Sequence, residues 1–158
     1  MTGPLPLLQL KDVTKRYAPV DDTTQEDVLR GVTLSVQAGE SLAITGPSGS
    51  GKSTLLNIIG VLDRVSSGTV HFDGENLNDL DEDQRSALRN RDIGFVFQDH
   101  HLLPQCTALE NVLVPTLVHR DDTIRRGADV RAQSLLHRVG LADTMHRRPG
   151  QLSGGEQQ

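Results

Sequence analysis

The sequence has few of the features that mark secreted or membrane-spanning proteins. Its 158 residues include one cysteine, Cys106, so an intramolecular disulfide is impossible and a reducing compartment is expected. No apolar run approaches the ~20 residues that span a bilayer. The start, MTGPLPLLQL, has no basic segment ahead of its apolar one and is a poor match to a signal peptide. Any work at a membrane is therefore expected on its cytosolic side, through a partner.

Aromatic residues are also scarce, at 3% of the chain, and tryptophan is absent, so the core has to come mainly from leucine, valine and isoleucine. The net charge is −5. Because a nucleic-acid partner usually requires a basic face, we expect no nucleic acid. Glycine is frequent, at 15 residues.

Apolar patterning predicts five short strands, which are 7–17, 32–36, 41–45, 67–74 and 93–98. Residues 7–17 alternate apolar and polar side chains, as in an edge-type strand. Residues 41–45 and 93–98 are more continuously apolar, as expected for buried strands. Between Tyr17 and Val28 the chain is polar and acidic, which indicates a surface loop.

Helical patterns occupy much of the remainder. A helix is predicted from Lys52 to Val61, and another after Asp81, which has Gln84 three positions on, the spacing of a capping box. A helix that begins near Thr107 should end or kink at Pro115. Four apolar residues spaced as i, i+3, i+4 and i+7 predict an amphipathic helix, and they are Ala132, Leu135, Leu136 and Val139. Strands mixed with helices in this order indicate an α/β fold, with a helical block from about 107 to 149.

The stretch GPSGSGKST, residues 46–54, fits the phosphate-loop pattern G-x-x-x-x-G-K-[ST]. It lies between a predicted strand and a predicted helix, as this motif requires. Glycines let successive backbone N–H groups point inward around a phosphate, and the helix adds its positive end. Lys52 then supplies a charge to the β- and γ-phosphates, and Ser53 a hydroxyl to Mg²⁺. The alternative is an ordinary glycine-rich turn.

The stretch LSGGEQQ, residues 152–158, is a second candidate anion site. Two adjacent glycines expose backbone N–H groups, and Ser153 adds a hydroxyl. Ser153 and Glu156 have the spacing of a capping box, so a helix should begin here with its positive end exposed. The alternative is that Ser153 only caps that helix.

These two motifs, together with FVFQ ending at Gln98, closely resemble the nucleotide-binding domain of ABC transporters. The resemblance implies a P-loop NTPase (RecA-like) core with an antiparallel β subdomain and a helical subdomain at about 107–150. It implies that residues 1–158 form a single such domain, incomplete at its C-terminus, because the family's Walker B aspartate and catalytic glutamate do not appear. The resemblance further implies ATP hydrolysis by the full-length protein and little by these residues alone.

The resemblance also implies a set of site residues. ATP would contact Tyr17, stacked on adenine, and the phosphate-loop residues Gly46, Pro47, Ser48, Gly49, Ser50, Gly51, Lys52, Ser53 and Thr54. Ser53 and Gln98 would contact Mg²⁺, and Gln98 would also contact the attacking water. Ser153, Gly154 and Gly155 would contact the ATP of a partner protomer in a head-to-tail pair, made of identical or different chains. The alternatives are that Tyr17 packs only on its neighbours and that Gln98 is a polar strand end.

Residues 88–112 resemble the LolD subfamily, which drives lipoprotein release, and share much with MacB-type exporters and FtsE-like division signalling modules. The implied partner is a membrane permease, and the implied location is the cytoplasmic face of the inner membrane. Soluble ABC proteins of DNA repair or translation, and a module that binds nucleotide without catalysis, remain alternatives. His100 and His101 are interpreted as partner contacts rather than metal ligands, because adjacent histidines rarely point together.

Overall fold

A computed structural model describes residues 5–17, 27–118 and 122–158. The described residues fall into two compact units, 1–94 and 95–158. The predicted acidic loop lies almost entirely outside the described residues. Within the described ranges, no helix is both long and apolar enough to cross a bilayer.

The first unit is built on an antiparallel sheet. Its elements are β1 (Leu8–Arg16), β2 (Asp27–Val36), α1 (Lys52–Ile59), β3 (Ser67–Phe72), β4 (Glu75–Asn76) and α2 (Glu82–Asp92). The sheet order is β2-β1-β3-β4, so β1 pairs on both sides and is not the edge strand that its alternation predicted. Alternation of apolar and polar side chains indicates that one face of a strand is buried. It carries no information about how many edges are hydrogen-bonded.

The core of this unit lies between one face of the sheet and the two helices. Leu10 and Val13 of β1 are fully buried, as is Val70 of β3, and Leu55 and Ile58 of α1 pack into the same cluster. The predicted capping box of α2 is present, because the Asp81 carboxylate accepts from the Gln84 backbone N–H and the Gln84 side chain accepts from that of Asp81. Helix positions and caps were thus predictable from local sequence.

Two predicted strands are wrong. Residues 41–45 and 93–98 are not strands, and no strand of the described ranges pairs with either. Leu42 is 53% exposed and Val96 is 88% exposed, so neither segment is buried as its apolar composition indicated. A strand exists only where a neighbouring strand takes its backbone hydrogen bonds, and the four-stranded sheet does not extend to these segments.

Gly68, in β3, lies where β1 is irregular. Its φ is +85°, and a Cβ there would press on the carbonyl of Asp12 and lie 2.6 Å from the carbonyl oxygen of Lys11. The β1–β3 register shifts between Lys11 and Thr14, which brings the two backbones together. Only glycine fits this close approach.

Gly68→Ala is therefore expected to lower the free energy of unfolding by about 3 kcal/mol, from left-handed strain plus overpacking against backbone. Gly74→Ala is the matched control, because Gly74 has a similar φ of +80° but open space around its Cβ position. The control should lose only about 1–2 kcal/mol. Denaturant unfolding of both variants measures the difference, and equal losses would contradict the steric explanation.

The second unit is mainly helical. It contains α3 (Ala108–Leu113), α4 (Asp122–Arg138), α5 (Gly154–Gln157) and 3₁₀ helices at Val114–Val118 and Pro149–Gln151. As predicted, the α-helix ends before Pro115. Ala132 and Leu136 of α4 pack with Leu109 in a small core, whereas Leu135 and Val139 of the predicted apolar stripe are exposed.

Candidate functional site

The phosphate loop lies in the first unit and leads directly into α1. Gly49 and Gly51 have φ of +79° and +84°, and the Ser50 N–H donates to the Pro47 carbonyl at 3.3 Å. A Cβ on Gly51 would lie 2.8 Å from both the Val28 carbonyl oxygen and Leu29 Cδ2. The loop is therefore curled as the motif predicts, and its last glycine packs against β2.

The N-terminus of α1 faces this loop without a protein cap. Gly51 is the N-cap in a left-handed conformation, and as a glycine it has no side chain that could cap the helix. The first turn holds no acidic residue. Since the first N–H groups of a helix have no intrahelical acceptor, this end of α1 presents unsatisfied donors and positive potential to an anion.

Lys52 reaches back across the loop. Its ammonium donates to the carbonyl oxygens of Gly46 at 2.9 Å and Pro47 at 2.6 Å. The next residue, Ser53, is exposed at the start of α1. An ammonium group, a neighbouring hydroxyl and uncapped helix N–H groups thus occur together in this loop, and they are the groups that a triphosphate requires.

A cleft of about 410 Å³ borders the loop on the β2 side. Gly49 and Ser50 form one wall, and residues 27–30 and Val32 form the other. The site therefore combines the curled loop with adjoining space in the same unit.

Tyr17 follows β1 and lies in a polar cluster. Its hydroxyl donates to Asp63 Oδ2 at 2.7 Å, and the Lys15 ammonium is 4.6 Å from the ring centroid. The same ammonium donates to Asp63 Oδ1 at 2.6 Å. The ring is 47% exposed, so much of it stays open to solvent. Sequence analysis predicted Tyr17 as a site residue but missed Lys15 and Asp63, which no local motif connects.

The cluster changes the acid–base behaviour of its members. Partial burial, followed by the hydrogen bond to Asp63, raises the pKa of Tyr17 above its ordinary value. Burial alone would raise the pKa of Asp63, but the hydrogen bonds from Lys15 and Tyr17 outweigh it and lower that pKa. Asp63 is therefore a carboxylate and Tyr17 a phenol at neutral pH.

In the second unit, Gln98 is exposed and follows two stacked rings, those of Phe95 and Phe97, whose centroids are 5.2 Å apart. His101 contacts the Phe97 ring edge-on at 4.8 Å. The Gln158 side chain donates to the Phe97 carbonyl at 3.1 Å, so the end of the LSGGEQQ segment lies beside the FVFQ segment. Within residues 5–17, 27–118 and 122–158, no three metal-ligating side chains lie close enough together to hold an ion.

Helix α5 begins at Gly154, as its motif predicts. Both the backbone N–H and the hydroxyl of Ser153 donate to the Glu156 carboxylate, each at 2.7 Å. These hydrogen bonds lower the pKa of Glu156, and the one from the hydroxyl has the larger effect. Gly154 and Gly155 are exposed, and a Cβ at either position would meet nothing within 4 Å. Packing in the described part of the chain therefore does not require glycine at either position.

Comparison with known proteins agrees with this geometry. Residues 29–158 match the family model described as ABC transporter. The chain belongs to the ABC transporter family. Solved ATP-binding cassettes have the same fold: a dimeric cassette in a post-hydrolysis state, bound to ADP and Pi, matches with a TM-score of 0.84 and 42% identity over 95% of this chain and 65% of its own. This confirms the predicted P-loop fold class with its antiparallel sheet and helices.

Curated relatives come from several transport systems. The chain is 50% identical to the pyoverdine export ATP-binding/permease protein PvdT of Pseudomonas aeruginosa, over 99% of this chain and 23% of PvdT. It is 51% identical to the lipoprotein-releasing system ATP-binding protein LolD of Shewanella frigidimarina, over 96% of this chain and 62% of LolD. The macrolide export protein MacB of Syntrophobacter fumaroxidans is 47% identical, over 96% of this chain and 21% of MacB. The chain thus spans less than two thirds of the length of these relatives.

Proposed function

We propose that this chain is the ATP-binding part of a motor subunit that powers a bacterial ABC transporter. The observation that carries the proposal is the curled loop of residues 46–54, whose glycines, uncapped α1 N-terminus and Lys52 ammonium converge. ATP binds there through its phosphates, and Tyr17 supports the adenine. We also propose that residues 1–158 belong to one nucleotide-binding domain, with 107–150 as its helical part.

Magnesium fits the proposed donors. The resemblance assigns Mg²⁺ to the Ser53 hydroxyl and the Gln98 amide oxygen, and each is a hard oxygen donor of the kind that Mg²⁺ prefers. The ion would neutralise charge on the β- and γ-phosphates. Gln98 would orient the attacking water, and the whole protein would hydrolyse ATP.

The second anion site supports a paired arrangement. Gly154 and Gly155 at the start of α5 are exposed, and a Cβ at either would meet nothing within 4 Å, so their backbone N–H groups are open to an approaching anion. We propose that they contact the γ-phosphate of ATP held by a second domain, of the same or a different chain. Solved relatives that are dimeric cassettes favour this arrangement. A membrane permease would then place the protein at the cytoplasmic face of the inner membrane.

Titration of the chain with ATP and Mg²⁺ tests the proposal directly. Calorimetry should show saturable binding of ATP, and ADP should compete for the same site. Absence of heat or of competition by ADP would contradict it.

For the transported molecule, we propose lipoprotein release, on the resemblance of residues 88–112 to LolD and the 50–51% identity to LolD proteins. Export of a small molecule is the second candidate, because PvdT is equally similar. An FtsE-like signalling role is a third. Depleting the protein in its host separates the three candidates. Retention of lipoproteins in the inner membrane would indicate lipoprotein release, loss of small-molecule export would indicate the second candidate, and a division defect would indicate the third.

A further inference from the structure

The orientation of Tyr17 is fixed by neighbours that lie far away in the sequence. Its hydroxyl is bound to Asp63, and the Lys15 ammonium lies over its ring. An exposed tyrosine with only chain neighbours would sample several rotamers. Here two contacts hold one ring position while the ring stays 47% exposed.

The two residues that hold the ring are themselves ordered. Lys15 is 8% exposed, and its ammonium donates to Asp63 Oδ1 and to the Arg64 carbonyl, at 2.6 and 2.7 Å. Asp63 Oδ1 also accepts the Arg64 backbone N–H at 2.7 Å. A charge pair that is partly removed from water and hydrogen-bonded on both sides has one favoured geometry.

The backbone that carries Asp63 is also held. Val61 has a φ of +61°, an unfavourable conformation for a β-branched residue. Its carbonyl accepts from the guanidinium groups of Arg85 at 3.1 Å and Arg89 at 2.8 Å, and Arg85 also donates to the Asp63 carbonyl at 2.9 Å. The arginines of α2 thus stabilise a strained turn that presents Asp63 to Tyr17.

This cluster adjoins the phosphate loop. The side chain of Thr54, the last residue of the loop motif, lowers the pKa of Tyr17 through a hydrogen bond, opposite to the effect of Asp63. The held ring is therefore next to the first turn of α1, in the same unit as the loop.

We propose that Lys15 and Asp63 are positioning residues that preorganise the Tyr17 ring for the adenine base. The inference rests on the proposed function, because it takes the phosphate loop as the ATP site. Fixing the ring before binding removes the entropy cost of ordering it, which strengthens binding of the base. The triphosphate, by contrast, binds through the loop and does not depend on the pair.

The experiment compares ATP with inorganic tripolyphosphate, which has the phosphates but no base. Tyr17→Ala should weaken ATP binding about tenfold through lost stacking. Tyr17→Phe, which keeps the ring and loses the hydroxyl, and Asp63→Asn should each weaken it about three- to tenfold. Affinity for tripolyphosphate, measured by calorimetric competition, should be unchanged in all three variants.

A spectroscopic readout separates positioning from general stability. The sequence has one tyrosine and no tryptophan, so tyrosine fluorescence and the absorbance of the ionised phenol report Tyr17 alone. Asp63→Asn should lower the ionisation midpoint of the phenol and reduce fluorescence quenching by ATP. Asp92→Asn is the matched control, because Asp92 forms an exposed ion pair with Arg91, and it should change neither signal.

The outcomes are distinguishable. Unchanged ATP affinity in Tyr17→Phe, with a loss in Tyr17→Ala, would overturn the positioning role and leave stacking intact. Equal losses for ATP and tripolyphosphate would also overturn it. If the unmodified chain binds neither compound, the proposed ATP site fails, and the positioning role fails with it. If Asp63→Asn does not fold, Tyr17→Phe still tests the positioning role, because it removes the same hydrogen bond from the other side.

Discussion

Replacing Lys52 with alanine is expected to weaken ATP binding by about 10- to 100-fold, because one charge-assisted contact to the phosphates is lost. The ammonium already lies across the loop, within 2.9 Å of two of its carbonyl oxygens, so little rearrangement is needed to reach a phosphate there. The same loss is expected for tripolyphosphate, since Lys52 contacts only phosphates. Calorimetric titration of both compounds measures the effect.

Lys11→Ala is the control for this variant, because Lys11 is an exposed lysine on β1 and its removal changes net charge equally. It should leave both affinities unchanged. Thermal unfolding of Lys52→Ala should also be close to that of the unmodified chain, because the lost hydrogen bonds are exposed. Unchanged ATP affinity in a folded Lys52→Ala variant would contradict the phosphate-loop assignment and the proposed function with it.

Replacing Gly155 with alanine is expected to lower ATP-dependent association by at least about tenfold while leaving the fold intact. A methyl group there projects from the first turn of α5, where the backbone N–H groups would meet the partner's γ-phosphate. Within the described residues nothing lies within 4 Å of the added carbon, and alanine favours helix over glycine by about 0.5–1 kcal/mol. Stability should therefore stay the same or rise while association falls.

Sedimentation with and without ATP measures this association, and chemical unfolding measures stability. Gly150→Ala is the matched control, because Gly150 is also exposed, has open space and lies outside the motif. If Gly155→Ala associates as strongly as the unmodified chain, the proposed phosphate contact is wrong. Ser153, Gly154 and Gly155 would then only begin a helix.

The features that sequence predicted well depend on residues close together in the chain. The Asp81–Gln84 box, the start of α5 after Ser153 and the curl of 46–54 are each specified within nine residues or fewer. Capping and glycine conformation are local effects, so spacing alone identifies them.

The features that sequence missed depend on pairing at a distance. Residues 41–45 have strand composition, but strand formation requires a neighbour that composition does not supply. Lys15 and Asp63 are 48 positions apart, and neither belongs to a motif. The central position of β1 likewise depends on β2 and β3 folding onto both of its edges.

The segment from Phe95 to Gln98 has a practical consequence for any association measurement. It is uncharged, rich in aromatic and β-branched side chains and free of proline, with its backbone unpaired by any described strand. Together with Ile93 and Gly94 it forms a six-residue uncharged stretch, the length at which exposed segments pair with identical copies in intermolecular sheets. Concentrated samples should therefore aggregate slowly even without nucleotide, and this background has to be subtracted before any ATP-driven pairing is quantified.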